Sequence, residues 1–406
     1  MRVTDALSML AALGASAVFA AHVPAQRAAP SPPSSTTPSS ASSPASAEAT
    51  SRIVASAQAF LKTLDDTART KVQFPFDSPQ KTKWSNFPTG IFAREGLRMG
   101  DLTPAQRKAA QSLLAAALSE NGYRKVSEIV LGDEVLRTSG SGGAPRGRGP
   151  NSAAPGGAAP GGGAPGGGPP GGGPPGGAPG PGGGPGGRGP GGGRGLIFGE
   201  DEYYLAFIGE PSTTTPWMLQ YGGHHLAINL TMAGSRASMT PSLPAAQPAS
   251  FKFQGREIRP LGKESDKAFA LIEALDAAQR EKAVLGYRVS DLVLGPGQDG
   301  RVIQPEGLRA STLTPAQQTM LLEIVREWAG IMADGYAEAR MAEIRANLAD
   351  TWFAWSGPTT KDSAAYFRIQ GPTLVIEYAP QGGVDHIHTI YRDPTNDYGA
   401  KIAAAK

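Results

Sequence analysis

The 406-residue chain has no cysteine. Disulfide staples, thiolate metal ligands and cysteine nucleophiles are excluded together. Histidine is nearly absent too: His22, then two tight pairs, His224 with His225 and His386 with His388. Beyond the N-terminal region no stretch offers 18 continuous apolar residues, so no transmembrane segment is expected. Charge of one sign is also lacking. The net charge is +3, and Arg2 with four arginines of a glycine-rich stretch (Arg146, Arg148, Arg188, Arg194) supply more than that excess. The remainder is close to neutral and carries no basic footprint for nucleic acid. There is no HExxH, no GxSxG, no phosphate-binding loop and no GxGxxG after a strand.

What is present divides the chain. Residues 1–20, "MRVTDALSMLAALGASAVFA", have a short basic start, an apolar run and small residues at the cleavage positions. They read as a signal peptide, which implies an exported, periplasmic or extracellular protein. Residues 21–50 are rich in Pro, Ser, Thr and Ala and read as a disordered tether. Residues 138–195 are Gly/Pro-rich without the three-residue period of collagen and read as a disordered insert. Residues 51–137 and 196–406 then form the two parts of one interrupted core domain, long enough to bury a core without cross-links.

The first part reads as mostly helical. Ile53, Ala57, Phe60 and Leu64 recur at helical spacing. In "LTPAQRKAAQSLLAAALSENGY", Thr103 suits an N-cap, Pro104 the first helical position, and Gly122 a break. After the insert come strand-like runs: "LIFG", "EYYLAFIG", "WMLQYG" and "HHLAINLTMAG", then "FKFQGREIRPLG" as a hairpin. "ESDKAFALIEALDAAQREKAVLG" reads as a helix. "LTPAQQ" at 313–318 echoes "LTPAQR" at 102–107, and the simplest reading is one efficient cap used twice. The end returns to strands: "FAWSGP", "AAYFRIQGP", "TLVIEYAP" and "DHIHTIYRD". The fold class is α+β, a mainly antiparallel sheet packed with several helices.

Period two sorts the histidines. On a strand, His386, His388, Ile390 and Arg392 share a face, and Asp393 points away. Two imidazoles at i, i+2 can chelate one ion. Glu377 on the preceding strand is in phase to join them, and His224 or His225 would complete a shell for Zn²⁺, Fe²⁺ or Mn²⁺. If "HHLAINL" is a strand throughout, its two histidines face opposite ways, so only one is a direct ligand. Arg392 is placed to hold an anionic substrate, with Asp393 beside it as a second catalytic candidate. Asp393 and Asp397 equally suit Asx turns at a strand exit. Asp385 is placed to orient a histidine ring, and Arg368 to pair with Glu377. The same histidines would also serve a metal-free acid–base or anion site, or a structural network.

"YYLAFIGEPSTTTPWMLQYGGHHLAINLTMAG" and "YFRIQGPTLVIEYAPQGGVDHIHTIYRDPTNDYG" resemble the signatures of a bacterial family known as domain of unknown function 3500. "GLRMGDLTPAQRKAAQSLLAAALSENGYRKVSEI" is similar to its N-terminal portion. The resemblance covers roughly 50–137 and 196–405. Its pattern includes Gly223-His224-His225 and His386-x-His388 with Arg392 and Asp393. It implies no activity. The residues therefore carry the functional expectation: an exported metal-dependent hydrolase or oxidoreductase acting on a small anionic substrate. The alternatives are a non-catalytic module binding a small molecule or peptide, and a structural or interaction protein.

Overall fold

The computed structural model describes residues 43–139 and 196–404. The stretch read as a leader (1–20), most of that read as a tether (21–50) and all but the first two residues of that read as an insert (138–195) lie outside them. The described residues are α+β, with antiparallel pairing dominant, as their sequence pattern indicates. No helix among them is long and apolar enough to cross a membrane.

Elements follow in chain order. Helices α1 (Pro44–Lys62) and α2 (Asp66–Val72) lead to β1 (Gln73–Phe74) and β2 (Leu97–Arg98). Then come α3 (Pro104–Ala117), α4 (Glu120–Thr138), β3 (Tyr204–Ile208), β4 (Trp217–Gly223), β5 (Leu226–Ala233), β6 (Arg236–Ser238) and β7 (Leu243–Pro244). A small hairpin, β8 (Phe251–Phe253) and β9 (Arg256–Ile258), separates these from α5 (Gly262–Ala274) and α6 (Ala277–Ala283). Next are β10 (Leu308–Arg309), α7 (Pro315–Ala329), α8 (Asp334–Ala346), β11 (Trp352–Ser356), β12 (Tyr366–Gly371), β13 (Leu374–Pro380), β14 (Ile387–Arg392) and α9 (Ala400–Ala404). One sheet runs β1-β3-β4-β5-β6, with β2 on β3 and β7 on β5; the other runs β10-β11-β12-β13-β14.

Several local expectations change. Helix α1 starts at Pro44, capped by the Ser43 side chain, inside the stretch read as tether. The first long helix ends at Ala117, and Gly122 lies in the first turn of the next. The helix read through 264–286 is two, because Asp276 starts a fresh capping box with Gln279. "LIFG" forms only a single bridge, Ile197 with Thr89.

The "LTPAQ" echo is more than a shared cap. The helix caps Asp65 and Asp276 stand 211 residues apart, as do Thr103 and Thr314. After the insert the shift is 148 (Tyr204 to Trp352, Leu226 to Leu374). Contacts repeat at the same shifts. Gln73 pairs parallel with Phe207, and Val284 with Trp355. Arg98 pairs with Glu202, and Arg309 with Asp350. Gly96 and Gly307 have φ of +111° and +94°, and a Cβ on either would meet the carbonyl oxygen of Leu205 or Phe353 at 2.6 and 2.3 Å. Between 95–106 and 306–317, nine of twelve residues are identical. The domain is an internal duplication, and its two halves form one compact unit.

The halves meet where their equivalent helix junctions touch. Leu118 bridges Met332; the Ser119 amide donates to Ile331 O and the Ala333 amide to Ala117 O, both at 3.0 Å. Around this pseudo-twofold contact Ile331, Met332, Ala333, Tyr336 and Ala337 enter the core formed by α1, α3, α4 and β3–β5. The approach is close: a Cβ on Gly122 would lie 2.1 Å from Ile331 O. Gly122→Ala must therefore push the halves apart, costing about 1–3 kcal/mol. Gly286→Ala, with open space at its Cβ, should change stability little. Denaturant unfolding of both variants checks this.

Candidate metal centre

Residues 242–246 join the two sheets. On one side Leu243 and Pro244 pair with Ala227 and Leu226 of β5. On the other, Ser242 and Ala246 bridge Tyr391 and Ile387 of β14. Two consecutive amides show the result: Ala245 N donates to His225 O (2.8 Å) and Ala246 N to Ile387 O (2.9 Å). The β4–β5 turn is thereby held beside the start of β14, and His225 meets His386 and His388.

The β4–β5 ladder closes at Gly223 and Leu226, so His224 and His225 are the turn itself. Strand alternation does not govern them, contrary to the sequence expectation. His225 has a left-handed backbone, φ +61°, which a non-glycine residue adopts only at a cost. Its amide donates to Asn86 O at 3.2 Å. Its Nδ1 is buried without a partner. The ring is fixed instead by its backbone bonds and by His224, whose ring centroid lies 3.7 Å away.

His225 Nε2 and His388 Nε2 each lie 2.9 Å from His386 Nε2. The ligand atoms of the three residues fall within 4.8 Å of one another. Protons alone do not satisfy this arrangement. The Asp291 carboxylate, 3.1 Å from His388 Nδ1, can only accept, so Nδ1 carries the proton and His388 Nε2 presents a lone pair. A neutral His386 has at most one Nε2 proton, enough for one of its two contacts. A cation meets all three lone pairs at once. His225, His386 and His388 would then be the residues that hold it, and imidazole nitrogens are ordinary ligands for Zn- or Fe-type ions. Burial first, then the neighbouring rings, pushes His225 well below the usual histidine range. The same causes bring His386 down to about 4. Both are neutral at pH 7, the state a metal requires.

Of the other expected ligands, His224 points into a separate pair. Its Nδ1 donates to Asp133 Oδ1 at 2.6 Å, both side chains being buried, and Asp133 Oδ2 accepts from Gly199 N. Glu377 is in phase as expected but opposite Ile390, one step further along β14. Its carboxylate accepts from Val293 N (2.9 Å), Leu294 N (2.7 Å) and Tyr366 OH (2.6 Å). Burial pushes it up against those bonds. Glu377 therefore stands outside the three-histidine group, and Arg368 pairs with Glu306 instead. Arg392, buried, is held by Asp397, Asp299 and Leu294 O, so it has no arm left for a substrate anion. Asp393 lies on the other face, in the Asx turn to Thr395 and near Arg340. Neither belongs to the three-histidine group. Asp385 accepts from Ala249 N and orients no ring.

Glu377 and Arg392 nevertheless bear on the centre at one remove. Both clamp the irregular segment around 293–294, and Asp291, two residues before it, holds His388. Burial opposes ionisation of Asp291, but the bonds from His388 and the Leu292 amide together keep its carboxyl below the usual range. Sequence reading passed over Asp291, Asn86 and Asp133. Asn86 Nδ2 lies 3.2 Å from His388 Nε2. Asp133 did leave a signal: with Val126, Ile129 and Leu136 it occupies the buried face of α4, where an unpaired acid would be costly.

The profile of a family described as "Protein of unknown function (DUF3500)" matches residues 46–400. The chain belongs to the DUF3500 family. No curated protein and no solved structure matches it. In this DUF3500 chain the Gly-His-His and His-x-His blocks are the two pieces that the seam at 242–246 brings together.

Asp291→Asn should leave the fold intact and weaken metal binding about 10–100-fold, as loss of an orienting partner does elsewhere. Competition against a chromophoric chelator measures it.

Proposed function

We propose that this protein is a metal-dependent enzyme, with the ion on Nε2 of His225, His386 and His388. The observation that carries the reading is the convergence of three buried or half-buried imidazoles on one another, with His225 and His386 held neutral at pH 7. Three protein ligands leave coordination positions open, the arrangement of catalytic rather than structural zinc. An ion there would lower the pKa of a bound water or polarise a substrate oxygen. Hydrolysis is the favoured chemistry, since it needs only that ion, water and a proton acceptor. Asp291 orients His388, and the Asp133–His224 pair stacks beside His225 as a second proton-holding group. Oxidative chemistry would require a redox-active metal in the same ligands, and metal identity separates the two.

The test is metal content of protein purified without a histidine tag. Wild type should carry about one ion per chain, and His386→Ala/His388→Ala should lose it while keeping its circular dichroism. A wild type that stays metal-free after incubation with Zn²⁺, Fe²⁺ and Mn²⁺ overturns the reading and favours a non-catalytic binding module. We also infer export, on the leader at 1–20. The mature protein should then begin at Ala21 by N-terminal sequencing, and an intact Met1 in the fractionated periplasm or medium would contradict it.

A further inference from the structure

We propose that the centre acts on an uncharged substrate whose apolar group lies on a ledge formed by Phe87, Ile91, Leu196 and Ile197. The proposal rests on the metal-centre reading and adds the substrate class.

Seven large hydrophobic side chains are exposed among the described residues. These four are among them, 51, 58, 46 and 38% exposed in that order, and they sit on two short segments tied by Ile197 N donating to Thr89 O (3.0 Å). Clustering of this kind marks a contact surface, whereas scattered exposed hydrophobics do not. Both segments run directly into the centre. Phe87 follows Asn86, which touches His388 through its side chain and accepts from His225 N through its carbonyl. Ile197 precedes Phe198, whose ring meets His224 at 4.9 Å between centroids. Arg94 Nη2 donates to Ser85 O, Phe87 O and Gly223 O at 2.7–2.8 Å, so the ledge is fastened to the histidine turn.

Charge near the centre argues the same way. The charged groups bonded to the histidine rings are carboxylates, Asp291 on His388 and Asp133 on His224. Two carboxylates beside the rings offset the charge of a divalent ion, so charge at the rings does not select for an anion. Arg392 is fully engaged; Arg94 Nη1 is buried without a partner, on the side of a small neighbouring cavity. That cavity, lined by Lys83, Trp84, Ser85, Arg94, Glu95 and Gly222 and by none of the three histidines, holds about 20 Å³, room for one water and not for a substrate's anionic group. A substrate's body therefore lies across the ledge.

The test uses metal-loaded full-length protein and three hydroxamates that share the metal-binding group: acetohydroxamate, benzohydroxamate and 4-carboxybenzohydroxamate. Wild type should bind benzohydroxamate about tenfold more tightly than acetohydroxamate, from burial of the ring. The added carboxylate should abolish that gain. Phe87→Ser/Ile91→Ser should cut the preference below about threefold with metal content unchanged; Phe87→Leu should keep most of it. Equal binding of the first two by wild type overturns the ledge, as does tighter binding of the carboxylated compound or an unaltered preference in the double variant. In those cases acetohydroxamate still reports a working centre. Absence of metal overturns the centre itself, and with it the ledge.

Discussion

Everything at the centre depends on five residues that carry no chemistry of their own. Segment 242–246 gives hydrogen bonds to both sheets, and its two successive amides at Ala245 and Ala246 reach His225 and Ile387. A backbone seam of this kind fixes spacing to within a hydrogen-bond length without relying on side-chain packing. It also explains how His225 and His386, 161 residues apart in the chain, meet at 2.9 Å. The residues that supply ligands and the residues that bring them together are separate parts of the sequence.

The duplication clarifies how such a site arises on a repeated fold. In the second half the turn equivalent to Gly223-His224-His225-Leu226 is Gly371-Pro372-Thr373-Leu374. Thr373 does not share the left-handed backbone of His225. By ladder register, His388 opposite Ala379 corresponds to Ser238 opposite Thr231, and His386 to Arg236. Each half therefore contributes histidines where its counterpart has none. The repeat supplies the scaffold twice, and the chemistry appears once, where the first half's turn meets the second half's last strand.

Legibility followed the range of the interactions. Strand phase within one hairpin is local, so the shared face of His386, His388, Glu377 and Arg392 was readable from period two. Distance along that face was not, because phase fixes a side and leaves register open. Glu377 fell one step beyond the centre for that reason. The turn at 224–225 was hinted by Gly222 and Gly223 but masked by the β-like run after it. Asn86 and Asp291 come from irregular segments whose positions are set by bonds to distant strands, and no periodicity encodes those. The duplication was read from one pentapeptide and undervalued, since a Thr-Pro helix start recurs for purely local reasons; the Glu-Gly-Leu-Arg identity just before it was also in the sequence, and the repeated ladder register and ion pairs add what local chemistry does not explain.

The strained turn gives the strongest internal reason to treat the histidines as functional. A glycine at 225 would relieve a left-handed backbone that costs a side chain about 1–2 kcal/mol, and a histidine buried with an unpartnered Nδ1 adds a desolvation penalty of similar order. The duplicate turn shows that this fold closes the same hairpin without that backbone. Stability therefore does not account for His225. Two costs borne at one residue, on the turn that faces two more histidines, are what a site held for a ligand looks like. On the proposed reading, a divalent cation would repay both costs, because it takes imidazole lone pairs where protons cannot.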